Sequence, residues 1–141
     1  MYNVIYILFV VNINMKLGEL KIATIEEDKK GIIHITLKKF FEITQAEAEE
    51  YIQGCLKIAK GQEKAVLFDA RAVENFTFMA MKKLVDSRVE DVTKASALLV
   101  NPLSPVTSLA VSFVLKLTRE PFPIRIFTNK KEALTWLEQF T

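Results

Sequence analysis

From Ala48 onward apolar residues recur at intervals of three and four: Ala48, Tyr51, Ile52, Cys55, Leu56 and Ala59 form one stripe, with Glu49, Glu50, Gln53, Lys57 and Lys60 largely opposite. That spacing predicts an amphipathic helix. Thr44-Gln45-Ala46-Glu47 reads as its capping box, in which a hydroxyl and a carboxylate satisfy first-turn backbone donors, and Gly61 is placed to end it. Gly54 falls inside the pattern at a cost of about 1 kcal/mol relative to Ala. Upstream, Leu20–Glu26 roughly alternates, Asp28-Lys29-Lys30-Gly31 supplies turn chemistry, and Ile32–Leu37 resumes an apolar-rich run, which predicts an antiparallel hairpin.

Downstream, the period shortens again. Ala65-Val66-Leu67-Phe68, ending at Asp69, and Ala97-Leu98-Leu99-Val100 are unbroken apolar runs, as expected of strands buried on both faces. Between them Thr77 is positioned to cap a helix with Ala80 or Met81, Leu84 and Val85 inward and Lys82, Lys83, Asp86 and Arg88 in water. Ser104-Pro105 opens another helix, with Val106, Leu109, Ala110, Phe113, Val114 and Leu117 as its stripe. Pro121-Phe122-Pro123 stops it, Ile124–Phe127 is a last strand, and Asn129 opens a final helix with Ala133, Leu134, Leu137 and Phe140 inward. The order β-β-α-β-α-β-α-β-α predicts an α/β fold with a mixed sheet, mostly parallel because of its crossovers, and an antiparallel hairpin at one side.

Composition narrows the setting. The 141 residues are 50% apolar and 26% charged with a net charge of +2, the balance of one globular domain. Basic and acidic residues are interspersed, which argues against nucleic-acid binding. A single cysteine, Cys55, forms no internal disulfide and suits a reducing, cytoplasmic setting. The apolar run Val4–Val11 is bracketed by Asn3, Asn12 and Asn14 and is shorter than the roughly 20 residues of a spanning helix, so no membrane element is expected. Residues 1–15 are set apart as an extension, and residues 16–141 are read as the domain.

The segment Val66-Leu67-Phe68-Asp69-Ala70-Arg71-Ala72-Val73, the ending Ile124–Leu137 with its Glu132-Ala133-Leu134-Thr135-Trp136-Leu137 helix, and the element order resemble the STAS/SpoIIAA-like superfamily, particularly its uncharacterised bacterial, STAS/SEC14-like members. The resemblance covers Leu20–Phe140. It implies a non-enzymatic regulatory or protein-binding module, whose relatives carry a phosphorylatable Ser in an Asp-Ser-Ser/Thr-Gly context after the third strand. Here that place holds Glu74-Asn75-Phe76-Thr77-Phe78-Met79, so only Thr77 stands as a phosphoacceptor. The binding residues the resemblance points to are Asp69, Arg71, Glu74, Phe76, Thr77, Phe78 and Met79.

Other candidates have two readings each. Asp69, at a strand's C-terminal end, either serves a ligand crevice or caps its own loop. His34 and Cys55 make neither a metal set nor a nucleophile–base pair with assigned roles, and the scarcity of glycine excludes a phosphate cradle. No cofactor is expected. Phe76, Phe78, Met79 and Met81 are either core or the lining of a contact patch or pocket. The partners expected are therefore an unidentified protein or, alternatively, a small apolar ligand, with a homodimer as one way to cover sheet edges.

Overall fold

The computed structural model describes residues 19–39, 42–73, 77–104, 112 and 122–141, with the backbone alone at Phe78 and Met81. Among the described residues five strands form one sheet in chain order: β1 (Ala23–Glu27), β2 (Ile33–Leu37), β3 (Lys64–Asp69), β4 (Thr93–Leu99) and β5 (Ile124–Phe127). β1 and β2 are antiparallel, with Ala23 opposite Leu37, and each later pair is parallel. The helices are α1 (Gln45–Ala59), α2 (Phe78–Leu84), α3 (Ser87–Glu90) and α4 (Lys130–Leu137), the last continued by a 3-10 turn over Glu138–Phe140. This is the mixed α/β sheet with an opening hairpin that the pattern predicts. The helix expected from Ser104 to Leu117 and the extension 1–15 lie outside the described residues.

Local chemistry sets the hairpin. Asp28 N donates to the Ile32 carbonyl at 2.9 Å and Gly31 N to the Asp28 carbonyl at 3.1 Å. Gly31 has φ +83°, a conformation glycine adopts without penalty. The Asp28 carboxylate accepts from the amides of Lys30 and Ile32 and bonds His34 Nε2 at 2.8 Å. The first strand starts later than the alternation suggests. Leu20 N donates to the Ala23 carbonyl, so Leu20–Ile22 turns into the sheet, although Ile22 is buried.

Alternation along the strands sends side chains to two layers. Ile25, Ile33, Ile35, Leu37 and Val66 pack on one face beneath α1, α2 and α3, with Tyr51, Ile52, Cys55, Ala80 and Leu84 closing over them. Ala65, Leu67, Ala95, Ala97 and Leu99 pack on the other face beneath Ala133 and Leu137 of α4. Alanine predominates there, and its short side chains permit a close approach of α4. α1 begins as predicted, with Thr44 Oγ1 accepting from Glu47 N at 3.1 Å, while the Glu47 carboxylate pairs with Lys21. It ends at Lys60 in the left-handed region, followed by Gly61 at φ +74°. Gly54 has a packing reason: a Cβ there would stand 3.1 Å from Leu20 Cδ1 and 3.2 Å from Ile25 Cδ1.

Two expectations are corrected. Asp86 and Arg88 were placed on one helix with Thr77, but α2 stops at Leu84, Val85 is extended, and Asp86 caps the separate helix α3 by accepting from Arg88 N at 2.9 Å. An Asp carboxylate competes for the backbone donors of the residues that follow it, so it favours a new start over a continuation. The fourth strand begins at Thr93, not Ala97. Thr93 and Ser96 are buried polar residues that break the apolar run in the sequence, and the Thr93 hydroxyl is satisfied by donating to the Val89 carbonyl at 2.7 Å.

Candidate functional site

β3 delivers Asp69 to the C-terminal edge of the sheet, where it is 7% exposed. Its Oδ1 accepts from Arg71 N and Nε, both at 3.0 Å, and its Oδ2 accepts from Arg71 Nη2 at 2.8 Å. The hydrogen bonds it donates to Asp69 hold the Arg71 guanidinium above its ordinary pKa. Of the two readings of Asp69, loop capping is the one the geometry carries: both carboxylate oxygens are engaged by the residue two positions on.

Thr77 has extended φ/ψ and accepts from Ala80 N at 3.1 Å, the capping role its position predicts. Glu74 and Phe76 lie outside the described residues, as does the side chain of Phe78. Met79, the second residue of α2, is 54% exposed, whereas Ala80 beside it is fully buried. The expected site is thus divided into a closed Asp69–Arg71 pair at the strand end and an open Thr77–Met79 segment at the helix start.

Met79 stands at an open groove of about 340 Å³ between α1 and the α2–α3 segment. Ala48, Ile52 and Val85 are its apolar lining, and Lys82 and Lys83 its cationic side. Glu49 and Asp86 are bridged across it by one guanidinium. Arg88 Nη1 and Nη2 each reach a Glu49 oxygen at 3.0 Å, and Nε and Nη2 reach Asp86 at 3.0 and 3.1 Å. Hydrogen bonds to Asp86 and Glu49 raise the pKa of Arg88, and its bonds lower both carboxyls. Lys83 Nζ donates to the Ile43 carbonyl at 2.6 Å. Periodicity places Glu49, Lys82 and Arg88 on solvated faces and gives no sign of this groove. The local signal was Asp86-Ser87, a helix start inside an apparently continuous helix.

The remaining candidates are structural in their contacts. Cys55 is buried in α1 and bonded to Tyr51, and burial pushes its thiol up to about 12, far from a thiolate at neutral pH. His34 is held by Asp28. Among the described residues no group of three potential ligands could hold a metal ion, and no helix is long and apolar enough to cross a membrane.

No curated protein matches the chain in sequence. Among solved structures it is similar to an uncharacterised DUF3478 protein with a SpoIIAA-like fold from Shewanella loihica PV-4, at a TM-score of 0.54 and 17% identity over 82% of this chain and 91% of that one. It is also similar to an anti-sigma factor antagonist from Mycobacterium paratuberculosis, at a TM-score of 0.55 and 18% identity over 82% of this chain and 92% of that one. The fold is therefore SpoIIAA-like, as the resemblance implies. A family profile described as a domain of unknown function, DUF7793, matches residues 25–141, and the chain belongs to that family.

Proposed function

We propose that this chain is a non-enzymatic regulatory module of the STAS-like type that binds another protein through the loop from Arg71 to Met79 and the helix it opens. The observation that carries the reading is Met79: a large apolar side chain, 54% exposed, at the start of a helix whose next residue is fully buried, on the lip of a groove. Methionine is enriched where protein surfaces meet. The fold adds support, since one solved protein of this architecture is described as an anti-sigma factor antagonist. Support for a non-enzymatic role comes from the occupied candidates: Asp69 is bound by Arg71, His34 by Asp28, and Cys55 is buried as a thiol. Carriage of a small apolar ligand fits less well, because the groove is open and five of its lining side chains are charged.

The test is quantitative recovery of bound proteins by tagged wild type and by Met79→Asp, expressed in cells of the natural source. A partner recovered by wild type is expected to fall roughly tenfold or more with the variant, as for a central interface anchor, at an unchanged melting temperature. Equal recovery by both would overturn the reading.

A further inference from the structure

We infer that the groove between α1 and α2–α3 takes an acidic peptide segment with an apolar anchor. The inference rests on the protein-binding reading above and adds the chemistry of the partner. Three cations and two carboxylates line the groove. Both carboxylates, Glu49 and Asp86, are held by one cation, Arg88, through the two bidentate pairings, and Glu49 also accepts from Gln53 at 3.0 Å.

One guanidinium offsets one of those two negative charges, so three cations against two carboxylates leave the groove a net +1, and that excess lies on its Lys82–Lys83 side. Lys83 spends a hydrogen bond on the Ile43 carbonyl, which leaves its positive charge in place, and Lys82 is exposed with no carboxylate partner among the described residues. Lys82 is three residues from Met79, so the two share a face of α2. A partner matching that face carries an apolar side chain for the Met79 lip and the Ala48–Ile52–Val85 lining, with a carboxylate near it for Lys82. At about 340 Å³ the groove is at the small end of ligand-sized pockets, room for one anchor side chain and its neighbours rather than a whole domain face. Charge of this kind steers encounter and selects partners more than it adds affinity.

The test is a titration of isotope-labelled protein with two synthetic amphipathic helical peptides of equal apolar content, one with a Glu polar face and one with a Lys polar face, followed by amide chemical shifts. The Glu peptide is expected to shift Ala48, Ile52, Met79 and Lys82. Its affinity should fall with added salt, and should drop by about tenfold or more in Lys82→Glu, where like charges then face each other. The Lys peptide should leave those amides unmoved. Equal shifts from both peptides, shifts confined to other surfaces, or none from either would overturn the inference. Recovery of a partner that depends on Met79 but binds through a basic segment would also overturn it while leaving the protein-binding reading intact, whereas loss of that dependence defeats the reading itself.

Discussion

Helix α1 and the α2–α3 segment lie in the same layer and make the same kind of strand-to-strand crossover, yet they are built differently. α1 is fifteen residues long, capped by Thr44, closed by a left-handed Lys60, and buries five residues along one stripe. The α2–α3 segment reaches a similar length only in two pieces, seven and four residues, with extended Val85 and the Asp86 cap between them. The unbroken helix holds the sheet. In the broken one the second piece carries Arg88 to Glu49, and the space left between is the groove with Met79 at its lip. Breaking a helix gives up backbone hydrogen bonds and apolar contact, and here the outcome is an accessible groove, one wall of which α1 supplies through Ala48, Glu49 and Ile52.

The sharpest way to expose the contrast is truncation on each side. Tyr51→Ala in α1 removes a buried aromatic ring and is expected to cost about 3–5 kcal/mol, whereas Met79→Ala should stay within about 0.5 kcal/mol of wild type by denaturant unfolding. A Met79 cost of similar size to that of Tyr51 would mean that the methionine is core after all.

Next in size is the joint between the two pieces. Asp86→Ala deletes the α3 cap and one side of the Arg88 bridge, with an expected loss of about 1 kcal/mol, the usual worth of an N-cap. Asp86→Asn, which keeps the capping oxygen, should recover most of it. If Asp86→Ala is neutral, the break does not depend on this cap.

A smaller effect appears on acidification. Burial pushes Asp28 up, but hydrogen bonds from His34 and from the amides of Ile32 and Lys30 outweigh it, and the carboxyl is held below its ordinary value of 3.8. A carboxyl lowered in the folded state contributes stability above its unfolded pKa and loses it as pH falls through the folded one. Asp28→Asn should therefore flatten the acid side of the stability curve below about pH 4, measured by chemical denaturation at several pH values. An unchanged slope would show that the hairpin turn does not report on this group.

The smallest is Gly54→Ala. Helix propensity gains about 1 kcal/mol, while the new methyl meets Leu20 and Ile25 at 3.1 and 3.2 Å, and Ile25 is buried with little room to move. No net stabilisation is expected in thermal unfolding. A gain near the full propensity value would mean that β1 yields freely to α1.

The sequence exposed those parts of the molecule whose causes are local. Thr44, Thr77 and Asn129 cap their helices as placed, because capping needs only a hydroxyl or carbonyl oxygen a few residues from a free amide. The strands β3 and β5 and the inward positions Ala133 and Leu137 follow from periodicity alone. The break at Val85 was hidden because Leu84, Val85, Val89 and Val92 continue an apolar rhythm across it, and the two oxygens of Asp86 decide the matter against that rhythm. The groove was hidden for a different reason. Glu49 and Arg88 are 39 positions apart, and nothing in either segment records that the fold brings them together. Asp69 stood out correctly as a strand-end carboxylate, but its occupation by Arg71 is a matter of side-chain geometry that spacing does not determine.

The central claim, that the α2–α3 side is the contact surface and the α4 side is scaffold, is tested most directly by site-specific photo-crosslinking in cells of the natural source. The photoreactive residue replaces Met79 in one strain and exposed Thr135 of α4 in another. A discrete protein adduct at position 79 with none at position 135 is the result this account predicts. The same adduct at both positions, or one at position 135 alone, would contradict it.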